Sequence, residues 1–160
     1  MPANSRKTIR VNDVLPNADF STEVSSNKPI VTERAMYWDL GQGEACHDSI
    51  GLSSAHTTFY FPDGQTSAGW EPFTLVGNPN DDPDTVDVTY LNQDGKGTET
   101  ETREIPARSR ATFNMVDKLP DGRASIMVTS KTVGKKIMVE RSMYMHSRGG
   151  GTCTIGGYGD

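Results

Sequence analysis

Pro106-Ala107-Arg108-Ser109-Arg110-Ala111-Thr112 restates, 104 positions later, the opening Pro2-Ala3-Asn4-Ser5-Arg6-Lys7-Thr8. The register holds beyond this heptad: Asp117, Leu119 and Pro120 fall under Asp13, Leu15 and Pro16, and Ser125, Val128 and Ser130 under Ser21, Val24 and Ser26. Residues 2–28 carry 11 identities in 27 positions. After a three-residue slip near Lys131–Lys135 the match resumes at an offset of 107, with Glu140-Arg141-Ser142-Met143-Tyr144 under Glu33-Arg34-Ala35-Met36-Tyr37 and Cys153 under Cys46. A repeat of this length is about one small domain. Its first copy lacks the front half, so the expected organisation is a half-repeat of about three strands over residues 1–51 followed by a complete module over 52–160.

Between the repeated segments the pattern is that of strands and turns. Thr85–Leu91 places Val86, Val88 and Tyr90 on one face and Asp87 and Thr89 on the other, the period-two signature of a half-buried strand. Asn92-Gln93-Asp94-Gly95 follows as a hairpin turn, because Asp-Gly supplies the positive φ angles that tight hairpins require. Thr98–Ile105 returns with alternating charge suited to a sheet edge. Thr57–Phe61, Trp70–Val76, Ala111–Met115, Arg123–Thr129 and Lys136–His146 are further expected strands, with Pro62-Asp63-Gly64 as a turn. In the first copy strands are expected at Arg6–Val11, Phe20–Ser25 and Ile30–Trp38, the last with Ile30, Thr32, Arg34, Met36 and Trp38 on one face and Val31, Glu33, Ala35 and Tyr37 on the other. Gly41–Ser54 reads as a link and Gly149–Asp160 as a loose tail unless Cys153 pins it. No stretch has helical periodicity. The expected fold class is all-β, an immunoglobulin-like antiparallel sandwich of about seven strands in the full copy.

Composition limits the partners. A net charge of −5 with scattered basic residues argues against nucleic acid. No apolar run approaches the ~18 residues of a spanning helix, so no membrane span is expected. Met1–Arg10 carries no hydrophobic stretch, so a secretory signal is expected to have been removed or never present. The two cysteines, Cys46 and Cys153, occupy matching repeat positions and are disulfide candidates with three possible fates: bonded within the chain, bonded to neighbouring chains, or free. No second Cys or His stands at ligand spacing beside either, and His56 and His146 look isolated, which disfavours zinc.

Several strings together, Thr58-Phe59-Tyr60-Phe61-Pro62-Asp63-Gly64, Phe73 to Asp81, Val88-Thr89-Tyr90-Leu91, Ile105 to Arg110, Glu33 to Trp38 and His47-Asp48-Ser49-Ile50-Gly51, resemble an uncharacterised β-sandwich repeat found in tandem in large bacterial cell-surface and secreted proteins. The resemblance covers nearly the whole chain. It implies an extracellular or cell-surface location and a sandwich architecture, and it brings no chemistry with it. The second copy departs from the pattern, ending in Thr152-Cys153-Thr154-Ile155-Gly156-Gly157 without the His-Asp-Ser-Ile-Gly ending of the first.

Candidate chemistry is sparse. His47 beside Asp48 suggests a base and its partner, yet neighbours on an extended chain point apart, so a capped loop is the expected role. Asn78, Asn80, Asp82 and Asp84 alternate like calcium ligands, but no glycine stands at the sixth position and Thr89 replaces the bidentate glutamate, which favours an Asx-type turn. Arg34 and Arg141 recur on an apolar strand face and are expected to snorkel or to pair with carboxylates. With Glu33, Tyr37, Glu140 and Tyr144 they mark structural repeat positions. Phe59, Tyr60, Phe61, Trp70 and Phe73 suggest core more than a sugar platform. No cofactor and no catalytic set is expected. The sequence points to a non-catalytic structural protein that self-associates through residues 1–51 into a filament or oligomer, because a half-sandwich leaves edges and an apolar face uncovered. The alternative is an adhesive or glycan- or protein-binding spacer within a larger surface protein.

Overall fold

A computed structural model describes all 160 residues. Eleven strands form: β1 (Glu33–Asp39), β2 (Glu44–Ile50), β3 (Thr58–Gln65), β4 (Trp70–Asn78), β5 (Asp84–Asn92), β6 (Thr98–Ile105), β7 (Ser109–Asn114), β8 (Arg123–Ser130), β9 (Met138–Met145), β10 (Gly150–Thr154) and β11 (Gly157–Gly159). Every pairing is antiparallel, and the remaining regular structure is three short 3-10 turns. One sheet runs β10-β9-β4-β7, a second β11-β3-β8-β5-β6, and β1 and β2 form a separate hairpin.

Alternation sends one face of each large sheet inward. Phe59 and Phe61 of β3, Val86, Val88 and Tyr90 of β5, and Ile126 and Val128 of β8 meet Val76 of β4, Phe113 of β7 and Val139 of β9 in one buried cluster. At ~1.5–3 kcal/mol for each large apolar side chain removed from water, this shared core is the main source of stability. The full module is therefore an antiparallel sandwich. It has nine strands where about seven were expected, because the glycine-rich tail is not loose. Gly156 turns at φ +74, a conformation open to glycine, with Tyr60 O only 2.5 Å from where a Cβ would lie, and this turn lays β11 along β3. Pro62-Asp63-Gly64 likewise is not a turn but a bulge inside β3, where pairing to β8 shifts between Phe61 and Gly64.

The first copy departs furthest from expectation. Arg6–Val11 and Phe20–Ser25 form no strand; only β1 and β2 do, and β2 occupies the stretch expected to be a link. The local turns are nevertheless those of the second copy. Ser5 Oγ donates to Pro2 O at 2.7 Å as Ser109 Oγ does to Pro106 O at 2.8 Å. Asn4 and Arg108 share a left-handed φ of 52° and 49°. Leu15 N donates to Val11 O at 2.8 Å as Leu119 N does to Met115 O, also at 2.8 Å. What differs is long-range: β7 and β8 pair with β3, β4 and β5, while their mates have no strand beside them. Ile9 is 69% exposed where Phe113 is 0%, and Val24 55% where Val128 is 0%.

Register mates should therefore differ in their contribution to stability. Phe113→Ala is expected to cost about 3–5 kcal/mol in urea unfolding, and Ile9→Ala at the matching position to stay within about 0.5 kcal/mol.

Candidate functional site

A group of polar and ionisable side chains meets where the β1–β2 hairpin sits on the outer face of the β10-β9-β4-β7 sheet. Alternation along the hairpin turns Arg34, Met36 and Trp38 of β1, and Ala45, His47 and Ser49 of β2, toward that sheet. The sheet presents Glu140, Ser142 and Tyr144 from β9. Gly151 of β10 is the small residue that admits Trp38: a Cβ there would lie 3.2 Å from the indole and 3.0 Å from the Tyr144 ring.

Arg34 Nη2 donates to Glu140 Oε1 at 2.6 Å, and Trp38 Nε1 donates to Arg148 O at 2.6 Å. The Trp38 ring meets His47 and Tyr144 edge-on, with centroids 5.2 and 5.4 Å away. Such aromatic pairs contribute about 0.5–1.5 kcal/mol each; the partly exposed ion pair adds about 1 kcal/mol or less. Arg34 Nη1 lies 3.4 Å from His47 Nδ1, and His47 Nε2 lies 3.2 Å from Tyr144 Oη. A guanidinium only donates, so these contacts assign Nδ1 as the bare acceptor and place the imidazole hydrogen on Nε2, facing Tyr144. Burial, with Arg34 adding to it, holds the His47 pKa below its ordinary value against the opposing pull of Glu140.

These contacts clamp the hairpin to the sheet. His47 is buried and Asp48 is exposed on the opposite face of β2, so the adjacent pair cannot act together. His47 is not in a capped loop, as expected, but inside a strand. Cys46 also faces outward and is free, while Cys153 Sγ donates to Asp48 O at 2.8 Å and is free as well. A disulfide joining the two within the chain is thus not formed; they lie on different sides of the hairpin. Burial, then the nearby Glu140 carboxylate, raises the Cys153 thiol pKa, the opposite of nucleophile activation.

The remaining sequence candidates disperse. Asn78 is buried and ties a loop together, donating to Asp82 O, Ile105 O and Pro106 O and accepting from Asn80 N at 2.9 Å, the Asx-type turn. Asp84 points into the core, where both its oxygens accept from Ser130 Oγ, and Asp82 is exposed. These oxygens diverge, and nowhere do three or more His, Cys, Asp or Glu side chains come together in a metal-binding arrangement. Arg141 neither snorkels to water nor pairs with a carboxylate, the two outcomes expected of it. Buried in the sandwich, it donates to the Asp63 carbonyl, leaves Nε without a partner, and has its pKa lowered by burial. Of the other repeat positions, Glu33 and Tyr37 are exposed. The aromatics split: Phe59 and Phe61 are core, Tyr60 is exposed on the far face, and Trp70 and Phe73 are half-buried.

His56 is not isolated. Its ring stacks on Tyr158 at 4.1 Å, Ser54 Oγ lies 3.0 Å from Nε2, and Asp160 Oδ1 is 3.5 Å from Nδ1. The residue types are those of a hydrolase triad, but the Asp160 carboxylate is committed to Thr57 N at 3.1 Å and Lys136 Nζ at 2.6 Å. The group is a clasp holding β11 to β3. Residues 104 positions apart in sequence meet here, so no local pattern could have revealed it.

No protein-family model matches the chain, and no curated protein matches its sequence. Among solved structures it is similar to Thermotoga maritima 1070, with a TM-score of 0.55 and 21% identity over 65% of this chain and 95% of that one. That likeness shows the fold alone. A second similarity is to the Anabaena sensory rhodopsin transducer, with a TM-score of 0.47 and 17% identity over 57% of this chain and 91% of that one.

Two outcomes follow from the clamp. A proton on His47 Nδ1 would face the Arg34 donors, and a lowered folded pKa means that docking is fully supported above the ordinary value of 6.5 and weakens as pH falls below it. Amide-exchange protection factors over residues 33–50, which are relative to the intrinsic rate at each pH, should fall between pH 7.5 and 5.5 while those of β3–β9 hold, and His47→Gln should remove that dependence. Thiol labelling at pH 8 should modify Cys46 well before Cys153; equal rates would contradict the burial described.

Proposed function

We propose that the protein is a non-catalytic, repeat-built structural protein of the cell exterior, related to the tandem surface repeats its motifs resemble, and that residues 1–51 mediate self-association. One observation carries this: the apolar residues of the first copy stand exposed at the positions whose mates form the core of the second. Ile9, Val24 and Ile30 are 69, 55 and 42% exposed, against 0% for each of Phe113, Val128 and Ile137. Scattered exposed hydrophobics need no explanation, but these are the inward residues of a defined sandwich half, separated from their cover. Association covers them, and a head-to-tail contact that does not close makes a filament whereas a two-fold contact makes a dimer.

The contact is expected to be weak if the second copy of the chain must open its own module to provide it. Exchange would put Ile9 in place of Phe113, Thr22 in place of Ile126 and Thr32 in place of Val139, each with less apolar surface to bury. Sedimentation velocity across a wide concentration range tests the proposal. The full chain should show a rising weight-average mass, and the chain lacking residues 1–31 should not; a full chain that remains monomeric at millimolar concentration refutes self-association.

A further inference from the structure

We infer that the inward face of residues 5–39 is a receptor for a β half-module with the pattern of residues 52–105, and that the docked β1–β2 hairpin is a competing use of part of that face. The inference rests on reading residues 1–51 as a half-module and names the partner that such a half requires.

The full copy shows what its own C-terminal half binds. β7 pairs with β4, β8 lies between β3 and β5, and β9 pairs with the other edge of β4. All these partners fall within residues 52–105. Carried across by the repeat, Thr8 takes the place of Thr112 opposite Leu75, Val24 the place of Val128 between Phe59 and Val88, and Met36 the place of Met143 opposite Pro72. One piece of this pattern therefore meets the needs of every orphaned segment. The orphaned half is also partly preshaped, since its turns at Pro2–Ser5 and Val11–Leu15 already have the hydrogen bonds of their mates. Preshaping lowers the ordering cost of engagement.

Competition follows from side-chain direction. In the full copy Arg141 and Met143 face into the sandwich. Their mates Arg34 and Met36 face instead the outer side of β9 and β10, where Arg34 holds Glu140. A strand has one such face, so filling the half-sandwich requires breaking the Arg34–Glu140 and Trp38–Arg148 contacts. A second copy of the chain is a poor donor because its β3, β4 and β5 are already paired with its own β7–β9. An unoccupied half-module is the better occupant.

The test lengthens the full chain by adding a further copy of residues 52–105 ahead of Met1 and follows amide exchange. Residues 5–10 and 19–26 should become protected by about a hundredfold or more, and Glu140→Ala, which loosens residues 33–50 in the original chain, should lose that effect. Unchanged exchange over residues 5–26 overturns the inference. So does equal protection from an added copy carrying Val76→Asp and Val88→Asp, which has the same length but no apolar interior to offer. Protection in the lengthened chain together with a monomeric original chain keeps this inference and discards self-association. Concentration-dependent assembly of the original chain without protection in the lengthened one does the reverse.

Discussion

A β-strand is stable only beside another strand that takes its backbone hydrogen bonds and a layer that covers its apolar face, and this chain meets that constraint once while presenting the sequence for it twice. Phe113 and Val128 lie in strands because β4, β3 and β5 flank them; Ile9 and Val24, at matching positions, do not. Local chemistry is the same in both copies, down to the serine-to-carbonyl hydrogen bonds and the left-handed Asn4 and Arg108. The comparison separates what a turn needs, which is local, from what a strand needs, which is distant.

The same constraint accounts for the hairpin. β1 and β2 satisfy each other's ladder and need only one covered face, which the neighbouring sheet provides. The repeated arginine shows how far environment overrides sequence. Arg141 is enclosed in the sandwich with a backbone carbonyl as its partner, whereas Arg34 reaches a carboxylate at the junction. His47, lacking a counterpart in the second copy, supplies a titratable group to that junction with its bare nitrogen held toward the guanidinium.

Much of the fold was legible beforehand. Thr98–Ile105 was bounded as it stands in the structure, and β4, β5, β7, β8 and β9 lie within a few residues of where alternation put them. The failures have a common cause. Arg6–Val11 and Phe20–Ser25 alternate properly but lack neighbours, while Glu44–Ile50 and the glycine-rich tail lack strong strand patterns but gain neighbours. The site was less legible. Pairing with a carboxylate was one of two outcomes expected for Arg34, but Glu140 as that partner, the role of Trp38, and the meeting of His56 with Asp160 all depend on contacts between distant segments.

By itself the sequence determined the repeat, the all-β character and the alternation of β4 to β9, because each strand's pattern depends on residues within a few positions of one another. Only the tertiary structure decided which copies of the pattern became strands, which way Arg34 and Arg141 turned, and that both cysteines stayed free. Those outcomes depend on what stands beside a segment after folding, and an identical local pattern leads to different results when one copy has a partner sheet and the other does not.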